Sequence, residues 1–191
     1  MKALSLSAGL ALLAVLWLAP LEALWPAFPV HMLRHMGLVA VAAPLIVMGL
    51  PDRWADALAM APLLAAVLEF IVVWAWHLPM AHALGRLSLP AFMAEQASFL
   101  AVGLFVWAGC LRAAQPLAGA GGMLLTSMHM TLLGALLILA PRDLYAALCG
   151  TAPDVTAQQL GGMLMLGIGT PIYLAAGLWL SAKALNREAP A

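Results

Sequence analysis

The chain has 191 residues, of which 65% are hydrophobic and only 8% charged, and its mean hydropathy is +1.03. Soluble domains carry roughly 25% charged residues, so this composition cannot cover a water-facing surface and indicates a protein embedded in a bilayer. The formal net charge is zero, which argues against binding to nucleic acid. Cys110 and Cys149 form neither a CxxC pair nor a disulfide framework. We expect one integral-membrane helical domain over residues 1–191.

Six apolar stretches are long enough, or nearly so, to cross about 30 Å of hydrocarbon as helices of roughly 20 residues. They are residues 3–18, 31–49, 58–76, 92–111, 123–140 and 160–180. The pattern predicts an all-α polytopic bundle of about six transmembrane helices. Pro44, Pro62 and Pro171 lie in or near these spans and are expected to bend them. The first stretch resembles a signal peptide, but its cleavage site is poor, and we expect it to be retained.

The basic residues predict the orientation of the bundle, because cytoplasmic loops carry an excess of Lys and Arg. Six spans put one set of basic residues on the side of the termini and a smaller set on the other: Lys2, Arg53, Arg112, Lys183 and Arg187 against Arg34, Arg86 and Arg142. Both termini should therefore be cytoplasmic.

Four of the five histidines lie on the outer side in this topology. His31 and His35 begin the second span and His77 ends the third, while His82 follows in a loop, where we expect it to be solvated. Imidazoles from separate helices at one membrane surface are what a periplasm-facing metal site requires. The alternative is that these histidines solvate the ends of their helices.

Residues 31–36 carry the sharpest chemical signal in the chain. His31 and His35 are four apart and share one face of a helix, and Met32 and Met36 add thioether sulfur beside the imidazoles. This mixture of soft sulfur and nitrogen ligands suits copper, Cu(I) above all. We predict a copper site made by His31, His35, His77, Met32 and Met36, although methionine is also common apolar filler.

Two further ionisable residues lie deeper in the membrane. Glu69 is roughly 12 Å below His77 by helix rise, and a carboxyl at that depth is either functional or a protonated group bonded to a neighbouring helix. His129 lies near mid-membrane and needs a partner. That partner is Glu69, a metal ion, or a structural hydrogen bond to a group such as Ser127 or Thr126. Both residues are candidate metal ligands of lower rank.

The openings of the fourth and last spans are also polar. Glu95, followed by Gln96, is a further candidate ligand, or an acid that stabilises a helix N-terminus. Gln158 and Gln159 are expected to bond loop carbonyls, and Gly161 and Gly162 to permit close approach of helices.

Several segments, in this order along the chain, resemble the CtaG family of cytochrome c oxidase assembly factors, multi-span proteins associated with caa3-type oxidases. They are residues 31–36 with 43–45, 76–79, 132–142 and 158–162. Gln96 stands where the family pattern has His, and Ala157 stands where it has Asp. The chain is also about one span shorter than the family pattern.

The resemblance implies a metallochaperone or assembly factor, not an enzyme, in the bacterial inner membrane. Its implied partners are a haem-copper oxidase subunit and a copper donor protein. No hydrolase or phosphate-binding motif is present in the sequence. Two alternatives remain open: a haem b electron-transfer protein with axial ligands among the histidines, and a small ion or metal transporter using Glu69 and His129.

Overall fold

The computed structural model describes the backbone of residues 1–188 and the side chains of residues 1–186. Residues 189–191 of the predicted domain, and the side chain of Arg187 used in the predicted orientation, lie outside this part. Within it the chain is helical and has no strand. The helices are α1 (Lys2–Leu18), α2 (Ala27–Gly49), α3 (Asp52–Leu58), α4 (Pro62–His77), α5 (Pro79–Leu87), α6 (Leu89–Leu111), α7 (Pro116–Leu139), α8 (Ala146–Cys149) and α9, which begins at Val155 and ends at Glu188.

The prediction of an all-α membrane bundle is confirmed. Four helices of the described chain, α2, α6, α7 and α9, are long and apolar enough to cross a bilayer. A fifth span results if α3 and α4, which are bent by 66° at their break, are counted as one. The predicted sixth span is α1, an apolar helix of 17 residues.

The prolines explain where the predicted boundaries differ from the structure. Pro90 and Pro116 lie in the first turns of α6 and α7. Backbone N–H groups in a first turn make no hydrogen bond within the helix, so proline, which lacks an N–H, costs none there. Both helices therefore begin earlier than predicted. Pro79 likewise begins α5, which occupies the stretch expected to be a loop. The predicted bend at Pro62 is the break between α3 and α4.

The other two prolines inside spans each follow a π-helical turn. These turns are Gly37–Ala42, before Pro44 in α2, and Met165–Gly169, before Pro171 in α9. Proline removes a helical hydrogen bond and clashes with the preceding turn, and a π turn is one way a helix accommodates an interrupted ladder. The carbonyl of Val39 in the first turn accepts a hydrogen bond from Trp107 Nε1 at 2.8 Å, and the Tyr173 hydroxyl oxygen lies 3.0 Å from it.

The bundle is built by α2, α4, α6, α7 and α9, and α1 packs along the second half of α2. Its interior is apolar, with Phe99 and Tyr173 fully buried. Leucines such as Leu63, Leu132 and Leu139 are more than half exposed on the outer faces. This arrangement is the one expected when lipid is the surrounding solvent.

The two ends of the bundle carry different polar groups. At one end Lys2 pairs with Asp52 at 2.8 Å, and Arg112 pairs with Asp52 at 3.3 Å and with Asp56. At the other end lie the four histidines. Gln158 also lies there, donating to the carbonyl of Leu137 in α7 at 3.1 Å and accepting from the backbone of Leu144 at 2.8 Å. Its side-chain nitrogen also lies 3.4 Å from the carbonyl oxygen of Arg142, which is a loop carbonyl of the kind predicted.

Close packing of α7 and α9 depends on two glycines. A Cβ placed on Gly134 would lie 2.1 Å from Leu166 Cδ1 and 3.0 Å from the carbonyl oxygen of Gly162, and one on Gly162 would lie 2.7 Å from the carbonyl oxygen of Gly134. The predicted close helix approach is therefore present, and backbone atoms at the contact leave no room for a side chain.

We expect Gly134→Val to destabilise the bundle by more than the 1–3 kcal/mol that is roughly usual for overpacking, because a backbone carbonyl is among the atoms that must move. The measurement is the denaturant midpoint of the detergent-purified protein. Gly121→Val is the matched control, since it puts the same residue on the same helix at a position with nothing within 4 Å. Equal midpoints for the two variants would contradict the packing described.

Candidate metal centre

Four imidazole rings form a contiguous row at the polar end of the bundle. Their order is His82, His31, His35 and His77, with successive ring centroids 5.0, 4.1 and 5.8 Å apart. All four side chains are buried, with between 1% and 6% of each residue exposed. His82, which the sequence predicted to be solvated, is 3% exposed; that prediction was wrong, because residues 79–87 fold as a helix against α6 rather than as an open loop.

Local structure fixes the His77 ring. Its Nδ1 lies 2.6 Å from the carbonyl oxygen of Val73, one turn earlier in α4, so Nδ1 carries the proton and donates it. The Tyr145 hydroxyl donates to the carbonyl of His77 at 3.0 Å. A backbone-bonded ring nitrogen sets the tautomer in the way seen for metal-binding histidines. The other nitrogen, Nε2, therefore presents a lone pair, and it has no hydrogen-bond partner in the described chain.

Glu95 is the carboxylate of the cluster. It lies in the second turn of α6, fully buried, with Oε1 at 3.3 Å from His31 Nε2 and 3.6 Å from His35 Nε2. Because α6 begins at Leu89, Glu95 is past the first turn, so stabilisation of a helix N-terminus does not explain it. Gly85 of α5 lets the carboxylate approach: a Cβ there would lie 3.2 Å from Glu95 Oε2.

The side chain of Gln96 fixes the positions of the Glu95 carboxylate and the His35 imidazole relative to each other. Its side-chain nitrogen donates to Glu95 Oε2 at 3.1 Å and lies 3.1 Å from His35 Nε2. The amide has two hydrogens, one for each acceptor. His35 therefore accepts at Nε2 and carries its proton on Nδ1, which is the tautomer this geometry assigns.

Several buried polar atoms of the cluster have no hydrogen-bond partner in the described chain. Neither nitrogen of His31, nor Glu95 Oε1, nor His77 Nε2 makes a hydrogen bond to any described residue. Leaving a buried polar atom unsatisfied costs about 1–3 kcal/mol. One ligand atom from each of His31, His82 and Glu95 lies within 4.8 Å of the others, a spacing that can hold a metal ion. Burial lowers the pKa of His82 to about 3, so its imidazole is neutral at neutral pH and offers a lone pair.

The two predicted methionine ligands lie on an adjacent face of α2. A Cβ placed on Gly161 of α9 would lie 2.9 Å from Met32 Cγ, and one on Gly169 would lie 3.2 Å from Met36 Sδ. Both methionines are fully buried in the core. Their side chains pack toward α9, whereas His31 and His35 face Glu95 on α6.

Glu69 and His129 are held elsewhere. Glu69 accepts hydrogen bonds from Thr126 at 2.9 Å and Tyr173 at 2.7 Å, so both of its oxygens are used. The His129 ring packs against Phe70, with centroids 5.4 Å apart, and neither of its nitrogens has a partner among the described residues. The structure places neither residue in the four-ring row, and it pairs Glu69 with hydroxyls rather than with His129.

The sequence pattern of the family described as "Cytochrome c oxidase caa3 assembly factor" matches residues 1–187. This match covers nearly the whole chain. The chain belongs to the caa3 assembly-factor family. A search of curated proteins and a search of solved structures each found no match.

Membership of the caa3 assembly factors confirms the resemblance carried by the segments from residue 31 to residue 162. It links the chain to assembly of a haem-copper oxidase, which implies an interaction with that enzyme, and it suggests a non-catalytic role. The match itself names no ligand residue. The four-ring row and Glu95 are therefore observations of the structure alone.

The sequence placed Glu95 among the lower-ranked candidate ligands and did not bring His82 or Gly85 close to it. The sequence did contain a signal for His82 and Gly85. Pro79 marks a helix start, and these two residues are three apart, on one face of such a helix. What the sequence lacked was the neighbour of that face, which is Glu95 on α6.

Proposed function

We propose that this caa3 assembly factor binds Cu(I) at His31, His82 and Glu95, with His35 and His77 completing the imidazole row, and hands the ion to a copper-bearing subunit of the oxidase. One observation carries the proposal: ligand atoms of His31, His82 and Glu95, on three different helices, lie within 4.8 Å of one another, and those of His31 and Glu95 Oε1 have no hydrogen-bond partner in the described chain. A bound cation would accept a lone pair from each of these three side chains. The ion would come from a copper donor protein outside the membrane.

The charge of the cluster suits a monovalent ion. Glu95 supplies one negative charge, and imidazole binds a metal in its neutral form, so a centre holding Cu(I) has no net charge. An unpaired buried charge is costly, which favours a single positive charge over two. A set of few ligands also suits an ion that must be released again.

The proposed haem alternative is less well supported. The cavity that reaches the cluster holds about 200 Å³, whereas pockets for organic ligands and cofactors hold roughly 300–1,000 Å³. His31 and His35 also lie on the same helix, and their rings are in contact. A porphyrin between axial histidines would require the row to separate.

The experiment is a competitive titration of detergent-purified protein with Cu(I) and a coloured Cu(I) chelator, beside a parallel titration with Zn²⁺. We expect one Cu(I) per chain, bound more tightly than Zn²⁺, and no Soret band. In cells lacking the protein, the oxidase should be assembled with less copper. A chain that binds no Cu(I), or that prefers Zn²⁺, would overturn the proposal.

We further propose that the histidine end faces the outside of the bacterial inner membrane and that both termini are cytoplasmic. The exposed loop at residues 151–153 marks the histidine end. A cysteine at Thr151 should react in intact cells with a membrane-impermeant maleimide, and one at Arg53, at the opposite end, should not. Both are made in a background with Cys110 and Cys149 replaced by Ala, and the reverse labelling pattern would overturn this orientation.

A further inference from the structure

A cavity connects the buried histidines to the end of the bundle. It holds about 200 Å³ and lies between α2, α5, α8 and the start of α9. His31 and His82 line its buried part, while Thr151 and Ala152, both exposed, line its rim. An ion that is to reach a centre whose side chains are almost wholly buried has to pass through such an opening.

A free thiol lines the same cavity. Cys149 is the last residue of α8, it is half-buried, and it forms no disulfide. Arg86 and Asp143 also line the cavity. A cysteine alone says little, but His31, 1% exposed and with both ring nitrogens unpartnered in the described chain, lines the same space. The cavity therefore runs from a soft sulfur donor to an unsatisfied imidazole.

We propose that this cavity is the route by which Cu(I) enters and leaves the metal centre, and that Cys149 is the first ligand on that route. The proposal rests on the proposed function, since it assumes that copper is the ion bound inside. Thiolate sulfur is among the softest protein ligands and favours Cu(I), so the residue nearest the rim is the one suited to accept the ion from a donor.

The transfer balances without any change of oxidation state. A Cu–S bond forms as a bond from copper to its donor breaks and the Cys149 thiol releases its proton to water, and copper stays Cu(I). Bonds to the nitrogens of His31 and His82 then form as the Cu–S bond breaks, and the thiolate takes a proton back from water. Cu(I) with a thiolate is neutral, and Cu(I) beside the Glu95 carboxylate is neutral too. The ion therefore crosses from rim to centre without carrying an isolated charge into a low-dielectric interior.

The test compares rates of Cu(I) uptake from a Cu(I)–bicinchoninate complex by the wild-type chain and by variants at Cys149. We expect Cys149→Ala to slow uptake at least tenfold while the final stoichiometry stays at one Cu(I) per chain. Cys149→Met keeps a sulfur ligand and should restore most of the rate. Cys110→Ala is the matched control, because Cys110 is buried at the end of α6 and does not line the cavity.

A second measurement does not depend on any variant. Excess Cu(I), added beyond the one equivalent that the inner centre holds tightly, should slow the reaction of Cys149 with maleimide at least tenfold, because a second ion then occupies the thiol weakly. Full stoichiometry with unchanged uptake rates in Cys149→Ala and no protection of the thiol would overturn this proposal and leave the proposed function standing. If the wild-type chain takes up no Cu(I), the proposed function fails and this route fails with it.

Discussion

Replacing His31, His35 and His77 together by Ala is expected to weaken Cu(I) binding by roughly 10³-fold, on the basis of about tenfold or more for each ligand or supporting imidazole removed. His31 contributes the unpartnered nitrogen nearest Glu95. The hydrogen bond from His77 Nδ1 to Val73 fixes the tautomer of the His77 ring, so its Nε2 presents a lone pair. The stoichiometry of a Cu(I) titration should fall from one to zero at micromolar protein. The bundle should stay folded, because the change removes buried polar atoms that make few hydrogen bonds.

The control for this triple variant is His129→Ala. His129 is also a buried histidine without hydrogen-bond partners in the described chain, yet it packs against Phe70 away from the row. Its replacement should leave Cu(I) binding unchanged. A further variant, His82→Ala, should weaken binding about tenfold, and it tests the residue that the fold added to the predicted set. Unaltered copper stoichiometry in the triple variant would remove the site assignment.

Two adjacent residues on α6 are expected to act in opposite directions. Glu95→Gln keeps the shape of the side chain but removes its charge. At an effective dielectric constant of about 20, unit charges 4 Å apart interact with about 4 kcal/mol, part of which is offset by desolvation. We expect Cu(I) affinity to fall roughly 10²-fold, as measured by competition with a chelator.

Gln96→His should strengthen binding instead, by about tenfold, because it adds an imidazole beside His35 and Glu95. The side-chain nitrogen of Gln96 already lies 3.1 Å from His35 Nε2, so a ligand there is within reach of the row. Gln159→His is the control: that residue donates to the carbonyl of Ile138 at 3.1 Å and belongs to the α7–α9 contact. Changes of the same sign at Glu95 and Gln96 would contradict the roles given to them.

Much of the fold was predictable because lipid imposes simple rules on a helix. Length and apolarity identified the four helices of the described chain that are long and apolar enough to cross a bilayer, and Pro62 marked the break between α3 and α4. The π turns before Pro44 and Pro171 were not predictable as such, since a proline in a span predicts a bend but not the way its hydrogen bonds are redistributed. Helix α5 was missed because the short segment between Pro79 and Pro90 was interpreted as a loop between two spans.

Part of the proposed metal centre was predictable from helical spacing. His31 and His35 are related by helical spacing alone, so the sequence could place them on one face. His82 and Glu95 meet only because α5 packs on α6, and nothing in the spacing of residues 82 and 95 encodes that contact. Met32 and Met36 share the hexapeptide with the histidines, but they are rotated about 100° from them around the helix, toward α9.

The absence of a side chain at Gly85 should restrict which residues homologues carry at this position and at the position of Glu95. Any larger residue there would press on the Glu95 carboxylate, which a Cβ would approach to 3.2 Å. Homologues that carry alanine at this position should compensate with a shorter acid, aspartate, at the position of Glu95. The two sites should then vary as a pair although only one of them belongs to the proposed copper site.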